Sequence, residues 1–152
     1  MKSASLLKGS LLAAAIALSA PGIASAADRV GDFSLLDQEG YFHHMAWYDD
    51  HAAIALLVQA NDSQAAADAL PGFRALKQQF DEQGIEFMMI NPMGRLNRDA
   101  VAAKLSDWGV SDIPVLMDDA RMISRDLGIE RAGEVLLFDP SSFTVTYRGT
   151  VE

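Results

Sequence analysis

VQANDSQAAADAL, residues 58–70, leads from an apolar run through a short polar turn into a segment with helical spacing. The run before it, AIALLV (53–58), has the length of a strand and is wholly apolar, as expected for a strand covered on both faces of a sheet. After the turn, apolar residues recur with helical spacing up to residue 83, which predicts an amphipathic helix. We expect Pro71 to kink this helix and Gly84 to end it in a left-handed conformation. The stretch therefore predicts a central strand followed by a helix, as in α/β folds.

The rest of the sequence continues this alternation of strand and helix patterns. Further strands are predicted at 30–35, 41–45, 85–90, 114–117, 134–138 and 143–148, and further helices at about 97–108 and at 118–127. Asp118 or Asp119 would cap the last helix, and Gly128 would end it. Strands that first alternate with helices and then close as a hairpin predict a three-layer α/β sandwich with a mixed central sheet.

Residues 1–26 have the pattern of a secretory signal peptide. A positively charged start and an apolar run at 11–18 precede a cleavage site, ASA, at 24–26. A membrane-spanning helix is the competing interpretation, but it would need about 20 apolar residues, which is more than this run offers. We expect cleavage after residue 26 and export to the periplasm or out of the cell. Residues 27–152 then form one domain.

Charge and cysteine content narrow the functional classes. The formal net charge is −9, and removal of the signal peptide with its two lysines makes the remainder more acidic. Such a surface repels nucleic acids and anionic lipids, so we expect neither as a partner once the signal is cleaved. The chain contains no cysteine, which excludes disulfides, thiol chemistry and a lipid anchor on cysteine.

Three stretches carry a resemblance to a known family: DFSLLDQEGYFHH (32–44), ANDSQ (60–64) and GIERAGEVLLFDPSSFTVTYRG (128–149). Together they resemble the redoxin, or AhpC/TSA, branch of the thioredoxin-like superfamily. The resemblance implies a thioredoxin-like sandwich with an N-terminal β-hairpin. In that family a nucleophilic cysteine stands at the start of the first long helix, where free N–H groups and the helix dipole favour a thiolate. The resemblance places Ser63 at this position.

A serine at position 63 cannot perform the sulfur chemistry of the family. A hydroxyl is far less acidic than a thiol of pKa about 8.5, and it attacks only with the help of a base. It also forms neither a sulfenic acid nor a mixed disulfide. No base is obvious near Ser63 in the sequence. The alternative role is structural, with Ser63 or its neighbour Asp62 capping the helix.

Other positions depart from the family pattern as well. Peroxiredoxins have proline and then threonine or serine before the cysteine, where this chain has Leu56 and Ala60. Thiol-disulfide relatives have a cis-proline where this chain has Gly133. Arg131 is a candidate for the arginine that stabilises thiolate and peroxide in peroxiredoxins, or it is an exposed loop arginine. We therefore expect a degenerate catalytic site at Ser63 and Arg131.

The expected function is binding without thiol catalysis, with no cofactor and with a protein, peptide or small molecule as partner. The predicted binding surface joins the loop at 61–64 to the loop at 131–134. Its candidate residues are Asn61, Asp62, Ser63, Gln64, Ala132 and Gly133.

An antioxidant or oxidoreductase role that uses a partner's thiol or a bound metal is the alternative. His43, His44 and His51 are candidate ligands, because imidazole binds Cu(II) and Zn(II). Adjacent histidines on a strand point to opposite faces, which disfavours a shared ion, and an exposed polar segment is the other interpretation. A third possibility is a structural module of a longer protein. Relatives commonly follow the closing hairpin with a helix, so we expect a partner on that face or a sequence that continues past Glu152.

Overall fold

The computed structural model describes residues 28–93 and 98–151. Its strands β1 to β8 are Asp28–Arg29, Ser34–Leu36, Phe42–His44, Ala53–Val58, Ile85–Asn91, Val115–Met117, Glu134–Asp139 and Thr144–Thr150. Its helices α1, α2 and α3 are Gln64–Phe80, Arg98–Asp107 and Met122–Asp126. Short 3-10 helices follow β3 and α1, at Met45–Tyr48 and Asp81–Gln83.

Six strands form one mixed sheet in the order β1-β8-β7-β4-β5-β6, while β2 and β3 form a separate hairpin. β4, β5 and β6 are parallel to one another, whereas β7 is antiparallel to both β4 and β8. β4 therefore lies inside the sheet, between β5 and β7, as its apolar sequence predicts. Because α1 connects β4 to β5, its amino end stands near the carboxyl end of β4.

The side chains of the sheet alternate between two cores. Ala55 and Leu57 of β4 face a core shared with α1 and α2, while Ile54 and Leu56 face a core shared with the hairpin and α3. Phe73 of α1 is fully buried in the first core. Helices and hairpin thus cover the two faces of a central sheet, and the predicted three-layer α/β sandwich is confirmed.

The predicted N-terminal hairpin is present and packs on the second core. Phe33 and Met45, on either side of the hairpin, are both buried there. Asp37, in the hairpin turn, forms an isolated antiparallel bridge with Leu116 of β6. The turn of the hairpin therefore contacts β6, an edge strand of the main sheet.

The last helix begins later than the sequence predicts. The expected start was Asp118 or Asp119, but α3 begins at Met122 because Arg121 before it adopts a left-handed backbone with φ 57°. Asp118 still serves the helix, since its Oδ2 accepts a hydrogen bond from the N–H of Ser124 at 2.6 Å. The N-cap of α3 is therefore Arg121, and the predicted cap and start of this helix were wrong, although Asp118 accepts an N–H group of its first turn.

The first helix agrees more closely with prediction. α1 contains Pro71 and ends at Phe80, and a 3-10 turn continues to Gly84, whose φ of 74° is left-handed as expected.

β1, which pairs with Thr144 and Val145 of β8, was not predicted because two residues carry no periodicity. The predicted signal peptide, 1–26, lies outside the described residues. Within 28–93 and 98–151, no helix has the length and apolar character needed to cross a bilayer.

Candidate functional site

Ser63 lies at the amino end of α1, as the sequence predicts. It is the N-cap residue, half-buried and extended, with φ −88° and ψ 117°. Its Oγ accepts a hydrogen bond from the N–H of Ala66 at 3.3 Å, and its carbonyl accepts one from the N–H of Ala67 at 3.2 Å. The hydroxyl therefore satisfies a free N–H group of the first helical turn, which is the capping role considered above.

No basic side chain is hydrogen-bonded to the Ser63 hydroxyl within the described part of the chain. Among residues 28–93 and 98–151, its Oγ forms a single hydrogen bond, which it accepts from the N–H of Ala66. His43, His44 and His51 are paired instead with the carboxylates of Asp37, Asp32 and Asp50, respectively. A serine becomes a nucleophile only when a base can take its proton. In this arrangement the Ser63 hydroxyl caps the start of the helix.

Three side-chain amides hold the turn before Ser63, and sequence reasoning missed two of them, Gln59 and Asn91. Both are buried, with exposed fractions of 0% and 2%. Asn91 Nδ2 donates to Gln59 Oε1 at 2.6 Å and to Asn61 Oδ1 at 3.3 Å, and Gln59 Nε2 donates to Asn61 Oδ1 at 2.8 Å. The network joins the carboxyl ends of β4 and β5 and thereby fixes the loop that enters α1. The available signal was an amide residue at the end of each apolar run.

Gly133 brings the second predicted loop against the start of α1. Its N–H donates to the carbonyl of Val58 at 2.8 Å. Its φ is 83°, and a Cβ at this position would lie 2.7 Å from the carbonyl oxygen of Ala65. Only glycine allows so close an approach in this backbone conformation. The loop at 131–134 therefore lies against the end of β4 and the first turn of α1, which flank the loop at 61–64.

A cleft of about 570 Å³ opens beside these loops. It lies past the carboxyl ends of β4 and β5, between α3 and the loop that leads into β7. Its lining residues are Val58, Ala60, Pro92, Met93, Ala120, Arg121, Ser124, Arg125, Ile129, Glu130, Arg131 and Ala132. Of these, sequence reasoning had proposed Arg131 and Ala132 as site residues. In open α/β sheets, ligands bind in the crevice outside the carboxyl ends of the strands.

The remaining predicted site residues lie around the helix start and outside the lining of this cleft. Asp62 and Gln64 are exposed, while Asn61 is half-buried in the amide network. Gln64 Nε2 donates to Asp68 Oδ1 at 2.7 Å along the first turn of α1. Arg131 is exposed, which agrees with the loop-arginine interpretation, and it also lines the cleft.

His43 belongs to a chain of hydrogen bonds that anchors the hairpin. Its Nε2 lies 2.8 Å from Oδ2 of the buried Asp37, and its Nδ1 lies 2.9 Å from the hydroxyl of Tyr48. Asp37 Oδ1 also accepts the N–H groups of Glu39 and Tyr41. Burial raises the pKa of Tyr48, and the negative charges of Glu86 and Asp37 raise it further. The chain of hydrogen bonds thus ties the buried Asp37 to the 3-10 helix that follows β3.

The three histidines point to three different places. His44 Nε2 lies 2.5 Å from Asp32 Oδ2, on the other side of β3 from the partners of His43. His51 Nδ1 lies 2.7 Å from Asp50 Oδ1, and its Nε2 lies 3.5 Å from Glu86 Oε2. Within the described part of the chain, no group of three or more histidine or carboxylate side chains is arranged to hold a metal ion.

Comparison with known proteins agrees with this architecture. Residues 26–152 match the AhpC/TSA family. Peroxidoxin BcpB from Mycobacterium tuberculosis has 18% identity and a TM-score of 0.66, covering 82% of this chain and 84% of its own. The thioredoxin domain of a thiol-disulfide oxidoreductase from Bacteroides vulgatus has 10% identity and a TM-score of 0.70, covering 84% and 91%.

A third structure, a thioredoxin-family thiol:disulfide interchange protein from Chlorobium tepidum, has 16% identity and a TM-score of 0.65 over 83% and 88% of the two chains. At these identities the solved structures show the fold alone, which is thioredoxin-like. No match to the curated proteins was found. The family match spans the domain that carries the sandwich, the capped helix and the cleft, so this chain belongs to the AhpC/TSA family, as a member without the active-site cysteine.

Proposed function

We propose that this chain is an exported redoxin domain that binds a partner through the loops at 61–64 and 131–134 and performs no thiol chemistry. The observation that carries the proposal is the role of Ser63. At the position where the resemblance puts the nucleophile, its hydroxyl caps α1 and accepts the N–H of Ala66. The helix start, which activates a thiolate in the family, here carries a hydroxyl that caps the helix.

Two further features support binding as the remaining role. The contact between Gly133 and Ala65 unites the two loops into one surface. The cleft of about 570 Å³ borders that surface and falls within the size range of ligand sites, about 300 to 1,000 Å³. Hydrogen bonds among the buried amides Gln59 and Asn91 and the side chain of Asn61 hold the loop at 61–64 in place, and a preformed surface loses less entropy on binding than a flexible one.

Redox assays test the absence of thiol chemistry. The purified exported protein should consume hydrogen peroxide and reduce insulin disulfides, with a thiol reductant present, no faster than buffer does. Ser63→Cys is the matched variant, because it changes only the hydroxyl oxygen of this side chain to sulfur. A reproducible rate for the unaltered protein would contradict the proposal. The same assays with Cu(II) or Zn(II) added test the alternative oxidoreductase role, which a metal-dependent rate would support.

Binding is tested by recovery of partners from the native cells. The chain carrying Asp62→Lys together with Ala132→Glu changes charge on both loops and should lose partners that the unaltered chain retains. Glu82→Lys, an exposed acid in the 3-10 turn beyond the far end of α1, is the control and should retain them. Identical recovery by all three proteins would contradict a binding role for these loops.

Export is tested on the product made in the native cells. Cleavage after residue 26 predicts that the mature protein begins at Ala27 and is found outside the cytoplasm. Amino-terminal sequencing of the fractionated protein measures both. A product that keeps residues 1–26 in the cytoplasmic fraction would contradict this part of the proposal.

A further inference from the structure

Three arginines line the cleft: Arg121, Arg125 and Arg131, all of them exposed. The ion pairs of residues 28–93 and 98–151 use Lys77, Arg148 and the histidines, so none involves these three arginines. Their side chains also take part in no hydrogen bond within that part of the chain. In a protein of net charge −9, three cations without an ion pair among the described residues are therefore concentrated at one opening.

Glu130 is the one acidic residue in the described lining, so the arginines outnumber it. Arg121 is also held in a left-handed conformation, with φ 57°, which few residues other than glycine adopt. Backbone strain of this kind persists only where the surrounding structure imposes it. The fold therefore imposes the backbone conformation from which the Arg121 side chain leaves the chain at this opening.

Inside the lining, one polar group lacks a partner. Ser124 is 4% exposed, and its hydroxyl forms no hydrogen bond with any described residue. Buried hydroxyls are almost always hydrogen-bonded, because an unsatisfied one costs free energy. Val58, Met93 and Ile129 supply apolar surface to the same lining. The cleft thus combines apolar walls, a buried hydroxyl and a cationic rim.

We propose that this cleft binds a small organic anion, whose apolar body contacts Val58, Met93 and Ile129 and whose acidic group meets the arginines. The inference rests on the proposed function, since it names the class of ligand for the surface next to the two loops. Guanidinium groups match carboxylate and phosphate oxygens in paired hydrogen bonds. A ligand oxygen within reach of Ser124 would also satisfy its hydroxyl.

The test uses ligands that share one ring system and differ in charge. Calorimetry on the exported protein compares naphthoate and naphthyl phosphate with neutral naphthamide and cationic naphthylmethylammonium. At least one anion should bind about tenfold more tightly than the amide, the ratio that one charge-assisted hydrogen bond provides. The cation should bind most weakly. The preferred anion then shows whether the site favours a carboxylate or a phosphate.

Variants locate the binding. Arg121→Gln, Arg125→Gln and Arg131→Gln should each weaken the anion about three- to tenfold and leave the affinity for naphthamide unchanged. Arg29→Gln removes the same charge from an exposed residue of β1, outside the cleft, and should leave both affinities unchanged. Ser124→Ala should weaken the anion without lowering the thermal stability of the free protein, because no protein hydrogen bond is lost.

Equal affinity for anion and amide, equal effects of Arg29→Gln and the cleft variants, or binding of no member of the series would overturn this inference. The proposed function would stand after any of these results, since it depends on the redox assays and on partner recovery. Conversely, thiol-type activity in the unaltered protein would overturn the proposed function even if the anion binds.

Discussion

Gly133 lies so close to Ala65 that a Cβ on residue 133 would stand 2.7 Å from the Ala65 carbonyl oxygen. Because the Gly133 N–H also donates to Val58 at 2.8 Å, the loop cannot move away from α1 without losing that bond. One residue therefore joins the end of β4, the first turn of α1 and the loop before β7. The first two of these elements flank the loop that contains Ser63.

Gly133→Ala should consequently destabilise the fold strongly. The left-handed φ costs about 1 to 2 kcal/mol for alanine, and the crowding against Ala65 adds about 1 to 3 kcal/mol. Chemical denaturation measures the sum. Gly31→Ala is the matched control, since Gly31 has φ 93° but a Cβ on it would meet nothing within 4 Å. It should lose only the first amount, and equal losses for the two variants would show that the contact with Ala65 is not tight.

Ser63→Cys should produce a thiol with a pKa below the ordinary value of about 8.5. The new sulfur would stand at the N-cap of α1, where the Ala66 N–H and the helix dipole stabilise a negative charge. Thiolate absorbance followed against pH measures the value. Ser111→Cys, on an exposed loop between α2 and β6, is the control. Equal pKa values for the two thiols would show that the start of α1 does not favour an anion.

The elements that could be predicted from the sequence are those with local signals. The apolar run of β4, the polar turn and the N-cap at Ser63 each depend on neighbouring residues, and the structure places them as expected. The cleft depends on contacts between distant segments. Arg121 and Ser124 reach the same opening as Val58 only through the order of the strands, which no periodicity reveals. Two-residue strands and a left-handed arginine before a helix also leave no pattern in the sequence.

The amide network at the strand ends was missed for the same reason, and it makes a quantitative prediction. Asn91→Leu removes a donor to the buried Gln59 and should cost about 2 to 4 kcal/mol, because the remaining amide loses its partner. Gln59→Leu should have a similar effect. The double variant replaces both partners with apolar groups, so it should cost clearly less than the sum of the two single changes. Denaturation of the four proteins measures the coupling, and simple additivity would show that the two amides do not depend on each other.

Asp139, the last residue of β7 before the turn into β8, should make the stability of the protein sensitive to acid. Hydrogen bonds from the Ser141 hydroxyl, then from the Ser142 hydroxyl and the Ser141 N–H, lower the pKa of Asp139 from 3.8 to about 2. A carboxyl whose pKa is lowered by folding contributes stability above its unfolded value and loses it as the pH falls through the folded value. Asp139→Asn should therefore be less stable than the unaltered protein at neutral pH, and the difference should shrink between pH 3.8 and about 2. Denaturation across this range measures it, with Glu82→Gln as the control for loss of an exposed charge. A difference that stays constant down to the lowest pH would mean that the turn does not depend on the ionised carboxylate.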